Sequence, residues 1–180
     1  FNINKEDKIG IFEVGMDKKG EIDFLTKKIM PDIGVITNIS YAHIKNFKNL
    51  LGVAQAKSEI INNIAKDGYI ILNADDNFFS FFKSKSIKKK LKIVTFGVKK
   101  KSDVSLINIK KEKSLSVIYI NFNKKKLKFI VKKNLENYIY NILSTLAVIS
   151  IYFDLEKLDK FFFNDYQFPE GRGDLNSVKL

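Results

Sequence analysis

The sequence predicts an α/β fold: a mostly parallel sheet flanked by helices, with a small antiparallel three-stranded meander added late in the chain. Three observations predict it. Short apolar runs at 8–14, 33–38, 69–73 and 92–96 are separated by stretches of helical spacing, and strands divided by helices of that length call for a parallel sheet with both faces covered. Between 103 and 132 the period changes to alternation broken by Lys/Asn/Glu turns, which suits antiparallel neighbours. Finally, 180 residues with 45% apolar and 13% aromatic content can bury a core of ordinary size.

The elements follow in order. Ile9, Ile11, Phe12 and Val14 make 8–14 read as a buried strand. Residues 21–29 read as a short helix stopped by Pro31, and 33–38 as the second strand. Leu50, Val53, Ala54, Ile61 and Ile64 recur on one face, so 50–65 is expected to be a helix. Residues 69–73 form a third strand, 77–88 a helix and 92–96 a fourth strand. The meander takes 104–109, 115–122 and 127–131, after which 136–153 and 155–163 return to helix and 168–173 is loop. There is no internal repeat and no low-complexity linker.

Composition excludes several classes. The most apolar stretch, 138–153, is interrupted by Asn141, Ser144, Thr145 and Ser150, well short of the roughly 20 apolar residues a membrane helix needs. No stable membrane insertion is therefore expected. Without Cys there is neither a disulfide framework nor a thiolate metal site, which suits a reducing, cytoplasmic setting. The net charge of +12 invites a nucleic-acid reading. Its lysines, however, fall in short runs at 88–90, 99–101 and 124–126 between apolar segments, as a solvated surface would have them. No nucleic-acid partner is expected, although a basic binding module stays open as a different class. Arg172 is the only arginine, which suggests a need for its planar guanidinium fork. Phe1-Asn2-Ile3 shows neither a signal peptide nor an initiator Met, and reads as the interior of a longer polypeptide.

Three residues stand where fold-building alone would not put them. Lys57 lies on the apolar stripe of its helix, four after Val53 and four before Ile61. It is either a lysine snorkelling from the stripe's edge, or a functional one whose neutral amine can be modified or whose charge meets an anion. His43, the single histidine, follows a strand ending in Thr37-Asn38-Ile39-Ser40, and Glu13 ends its own apolar run. Ligands of open parallel sheets bind at the carboxyl ends of strands. A carboxylate and an imidazole there suit Mg²⁺ beside phosphates, while a structural or merely exposed His remains the alternative. Asn73-Ala74-Asp75-Asp76 ends another strand and reads equally as an Asx turn with a helix cap. Gly171-Arg172-Gly173 would let backbone and guanidinium approach a phosphate or a stacked base. No Gly-x-x-x-x-Gly-Lys-Ser/Thr phosphate loop occurs in the chain.

The order of these motifs resembles the Mur ligases. Glu13-Val14-Gly15-Met16, Gly20-Glu21-Ile22, Pro31-Asp32, Ile36-Thr37-Asn38-Ile39, Ala42-His43-Ile44, Ala56-Lys57-Ser58-Glu59-Ile60 and Leu72-Asn73-Ala74-Asp75-Asp76 follow the pattern of that family's central domain. The Glu-x-Gly-Met form is similar to the members that add D-Ala-D-Ala to UDP-N-acetylmuramoyl tripeptide, where relatives acting earlier carry Glu-x-Ser-Ser. The resemblance implies a P-loop-like domain and an ATP-dependent amide ligase of peptidoglycan precursor synthesis working through an acyl phosphate. It implies Mg²⁺ held by Glu13, His43 and Lys57, with Lys57 carbamylated, and makes Lys57 and His43 the catalytic candidates. Asn73, Asn141 and Arg172 become the ATP-binding candidates. The family usually reads Gly-x-His-Asn-x-x-Asn before the helix at Asn141; here Leu135-Glu136-Asn137-Tyr138-Ile139-Tyr140-Asn141 keeps only the last Asn.

On this resemblance 1–180 is expected to be the central ATPase domain without its phosphate-loop portion, and 174–180 the start of a linker to a further domain. The isolated polypeptide is expected to be a monomer without ligase turnover. Another ligase of the same superfamily, of the polyglutamate- or cyanophycin-adding type, is the alternative enzyme.

Overall fold

Successive residues of a strand point to opposite faces, so a strand buried at every position must be covered on both sides. Tyr69–Asn73 is buried at every position after half-buried Tyr69, with Ile70, Ile71 and Leu72 all at most 1% exposed. In the computed structural model, which describes residues 6–41 and 44–166, it lies second in a six-stranded sheet. The sheet runs β1 (Ile33–Ile36), β2 (Tyr69–Asn73), β3 (Lys92–Gly97), β4 (Val104–Lys111), β5 (Leu115–Phe122) and β6 (Lys125–Lys132), in sequence order. The first four strands are parallel; β4, β5 and β6 form an antiparallel meander. This is the predicted sheet without the strand expected at 8–14.

Five helices accompany it among the described residues: α1 (Glu21–Ile29), α2 (Leu50–Lys57), α3 (Glu59–Asn63), α4 (Phe79–Lys88) and α5 (Ile139–Ile149). Ile70 and Leu72 join Ala54, Ile61, Ile64 and Phe82, so α2, α3 and α4 cover one face. Ile71 and Phe96 join Leu143 and Leu146 of α5 on the other. Helix α1 packs outside, on α2 and α3, and ends with Met30 in the left-handed region at φ 47°, one residue before Pro31.

Four expectations change. Residues 8–14 form no strand, and Ile9 and Ile11 are 66% and 93% exposed. Within the described residues β1 is the edge strand and pairs only with β2; this segment does not dock on that open edge, and an apolar run that makes no ladder bonds is not a strand. The helix expected over 50–65 breaks at Ser58 into α2 and α3. The Ser58 hydroxyl donates to the Gln55 carbonyl at 2.6 Å, a local bond that competes with regular helix.

The helix expected from 136 to 153 is a 3₁₀ segment, Lys133–Tyr138, followed by α5. Buried Glu136 accepts from Ser116 of β5 and from Lys111 of β4, which pins this turn to the meander. Residues 155–163 hold only a 3₁₀ turn, Leu155–Lys157. The Lys160 carbonyl instead accepts from Ile130 on the edge of β6 at 2.7 Å, and the Asp159 carboxylate from the Phe161 amide at 2.6 Å. The expected loop at 168–173 lies outside the described residues.

Candidate functional site at the carboxyl ends of the parallel strands

Chain segments leaving the carboxyl ends of β1 and β2 have unpaired backbone groups that side chains must satisfy. The Asn73 side-chain amide donates to the Thr37 carbonyl at 3.0 Å, and its oxygen accepts from the Asp75 amide at 2.9 Å. Asp76 spans the same gap, accepting from the Ile39 amide at 2.7 Å and the Phe78 amide at 2.8 Å. The two strand ends are laced together by these two residues. Asn73 is 8% exposed, so its amide is committed to backbone.

Lys57 comes to this edge from the C-terminus of α2. Its Nζ donates to the Asn38 carbonyl at 2.9 Å, just past β1. The side chain is half-buried, and burial holds its amine below the ordinary 10.5, opposed in part by the negative charge of Asp76. A lowered amine spends more time unprotonated, which is the form that attacks an electrophilic carbon.

Asp75 ties down the next edge. Its carboxylate accepts from the amides of Val98, Lys99 and Lys100 at 2.6, 3.0 and 2.8 Å, and from the Tyr140 hydroxyl at 3.1 Å. Burial works to raise this carboxyl, but the backbone donors and Tyr140 outweigh it and hold it below 3.8. Burial, and then the bond to Asp75, raises the Tyr140 hydroxyl above 10.0. The first turn of α5 is thereby fastened to the end of β2, and Asn141 projects from that turn, exposed.

Glu13 is exposed on the segment leading to α1. Three residues on, buried Met16 packs with Val53 and Ala56 of α2, and half-buried Val14 packs against the same cluster. The Glu13 segment and the Lys57 helix therefore share a core, although no hydrogen bond or ion pair joins the two side chains among the described residues. His43 and Arg172 lie outside the described residues. Among those described, no three His, Asp or Glu side chains gather as a metal centre.

Sequence reasoning read Asp76 only as part of a turn and helix cap, and quoted Glu59 in a motif without giving it a role. Asp76 had a visible signal, an Asp at a strand end, yet its partner Ile39 is far away in the chain. Glu59 gave none: its carboxylate accepts from Gly20 and Asp23, on the far side of β1 in sequence.

Residues 1–149 match the family description "Mur ligase middle domain". The chain belongs to the Mur ligase family. It is 40% identical over 90 residues to the UDP-N-acetylmuramoyl-tripeptide–D-alanyl-D-alanine ligase of Buchnera aphidicola subsp. Baizongia pistaciae, a match covering 50% of this chain and 20% of that protein. A crystal structure of MurF from Acinetobacter baumannii superposes with a TM-score of 0.82 at 25% identity, over 94% of this chain and 37% of that one. The fold also agrees with MurF from Thermotoga maritima solved in complex with ADP, at a TM-score of 0.71 and 19% identity over 86% of this chain and 35% of that one. This Mur ligase domain thus spans about a fifth of the length of the curated relatives it matches. Its six-stranded mixed sheet is that of the MurF central domain.

Proposed function

We propose that this domain serves an ATP-dependent amide ligase that adds D-Ala-D-Ala to UDP-N-acetylmuramoyl tripeptide in peptidoglycan precursor synthesis. The observation that supports it is Lys57: a half-buried amine, lowered by burial, at the carboxyl edge of a parallel sheet. That edge is where such sheets take ligands. The match to the D-Ala-D-Ala-adding ligase of Buchnera aphidicola favours the same acceptor here.

We infer that the following residues would hold the cofactors of this reaction. Neutral Lys57 Nζ adds to the carbon of CO₂ and loses a proton, giving a carbamate whose oxygens replace a cation with a metal-binding anion. Glu13, exposed on a segment packed against α2, supplies a second carboxylate, and His43 is proposed as the imidazole partner. Mg²⁺ held there would neutralise phosphate oxygens as the tripeptide carboxylate is converted to an acyl phosphate. Asn141 and Arg172 are proposed to contact ATP. Asn73 keeps its amide on Thr37, so its part is to hold the strand ends that form the nucleotide edge. No described helix is long and apolar enough to cross a membrane, and we place the enzyme in the cytoplasm, as a monomer.

The test is an assay of the full-length protein with UDP-N-acetylmuramoyl tripeptide, D-Ala-D-Ala, ATP and Mg²⁺. ADP release coupled to pentapeptide product is expected. Glutamate addition in place of D-Ala-D-Ala would reassign the domain to a polyglutamate-type ligase.

A further inference from the structure

We propose that Glu59 is a positioning residue, whose carboxylate fixes the segment bearing Glu13 against the helix pair bearing Lys57. The assignment rests on the ligase reading above, and it starts from an incomplete helix end. Gly20, the residue before α1, has φ 93° and no side chain with which to cap the helix. The exposed amides of a helix N-terminus need acceptors and favour negative charge. Glu59 supplies both: its two oxygens accept from Gly20 at 2.9 and 3.0 Å, and Oε2 also accepts from Asp23 at 3.1 Å.

A local cap would have done the same for α1 alone. A cap placed two residues after Lys57, at the start of α3, also holds α1 against the break between α2 and α3. The order extends backward from Gly20, because Asp17 and Lys18 donate their amides to Glu21 at 2.6 and 2.9 Å. Met16 then seats on Val53 and Ala56, three residues from Glu13.

The other side of Glu59 is held as well. Lys85 Nζ donates to the Ser58 hydroxyl at 2.8 Å, and Ser58 marks the break between α2 and α3. The positive charge of Lys85 faces Glu59. One buried carboxylate therefore ties together the break after Lys57, the N-terminus of α1 and the approach to Glu13.

The experiment uses the full-length protein and two substitutions at opposite ends of the tether, Glu59→Gln and Gly20→Ala. Ser116→Ala, in the distant meander, serves as a control for lost stability. Acylation of Lys57 relative to exposed Lys128 is followed by mass spectrometry under native conditions, alongside Tm and the Mg²⁺ concentration for half-maximal ligation. Both tether variants should raise Lys57 labelling several-fold and shift the Mg²⁺ half-saturation upward, while Ser116→Ala changes Tm alone. If Glu59→Gln and Gly20→Ala lower Tm but label Lys57 as the control does, Glu59 is only a helix cap and the proposal fails. Absence of ligation in the unsubstituted protein sinks the functional reading instead, and Lys57 labelling still decides the positioning role.

Discussion

Lys57 donates its Nζ to the Asn38 carbonyl at 2.9 Å, which brings the C-terminus of α2 over the carboxyl end of β1. A cation on an apolar stripe is thereby turned toward the edge where parallel sheets take their ligands. Its neighbour in charge is Asp76, which grips the next backbone amide, that of Ile39, at 2.7 Å.

Replacing this amine should separate activity from stability. Lys57→Met keeps the stem and removes the reactive nitrogen. Ligation by the full-length protein should fall by about two orders of magnitude or more, as when a group that stabilises developing charge is lost. Tm should change little, because a half-buried lysine contributes mainly through its stem. Steady-state rates and thermal unfolding of the two proteins check this; near-normal turnover would remove Lys57 from the mechanism.

The same lysine should leave a mark on stability against pH. Its folded value lies below 10.5 because burial disfavours the charged form. At neutral pH both folded and unfolded chains carry the proton, and the folded state bears the full cost of burying it. As pH rises through the lowered value toward 10.5, the folded chain sheds the proton first and that cost is relieved. In CO₂-free buffer, where Lys57 is the free amine, urea midpoints of the natural protein should therefore rise relative to Lys57→Met across this alkaline window. A constant difference would contradict the lowered amine.

Asp75 should act at the acid end. Its folded value is depressed below 3.8, so its contribution is present above that value and is lost as pH falls through the folded one. Asp75→Asn should cost about 1–2 kcal/mol near neutrality, a charge-assisted bond discounted for partial exposure. It should also flatten the acid limb of the stability curve. Denaturant titrations at several pH values measure both effects.

Two glycines test how closely the helical layer sits on the sheet. A Cβ at Gly68 would lie 2.6 Å from the Asp32 carbonyl oxygen and 2.9 Å from that of Ala65, atoms that cannot swing aside. At Gly34 the nearest atom is the Ile64 Cδ1 at 2.7 Å, the end of a flexible side chain. Gly68→Ala should cost about 3 kcal/mol and Gly34→Ala about 1 kcal/mol. Equal losses in chemical denaturation would mean that the Gly68 turn can relax.

Much of the scaffold was legible from spacing alone. The bounds of α1 and β2 follow from Pro31 and from a short apolar run between polar ends, and both agree with the structure. The meander was visible in Leu115–Phe122, where Ser116, Ile118, Ile120 and Phe122 are buried and the residues between them are half-buried. The run at 8–14 misled, because apolar content does not say whether a segment docks on an available strand edge. Ser58 misled as well, since its bonds to Gln55 and Lys85 interrupt a stripe that reads as continuous.

The sequence by itself determined the alternation of strands and helices, the switch to antiparallel pairing and the motif order that places this chain among the Mur ligases. Those properties depend on near neighbours, through side-chain period and turn chemistry. Only the tertiary structure decided that Lys57 meets Asn38, that Asp76 laces β1 to β2, and that Glu59 caps a helix preceding it by an entire strand. Each of these bonds joins residues distant in the chain, and a donor finds its acceptor there only after the sheet and helices have packed.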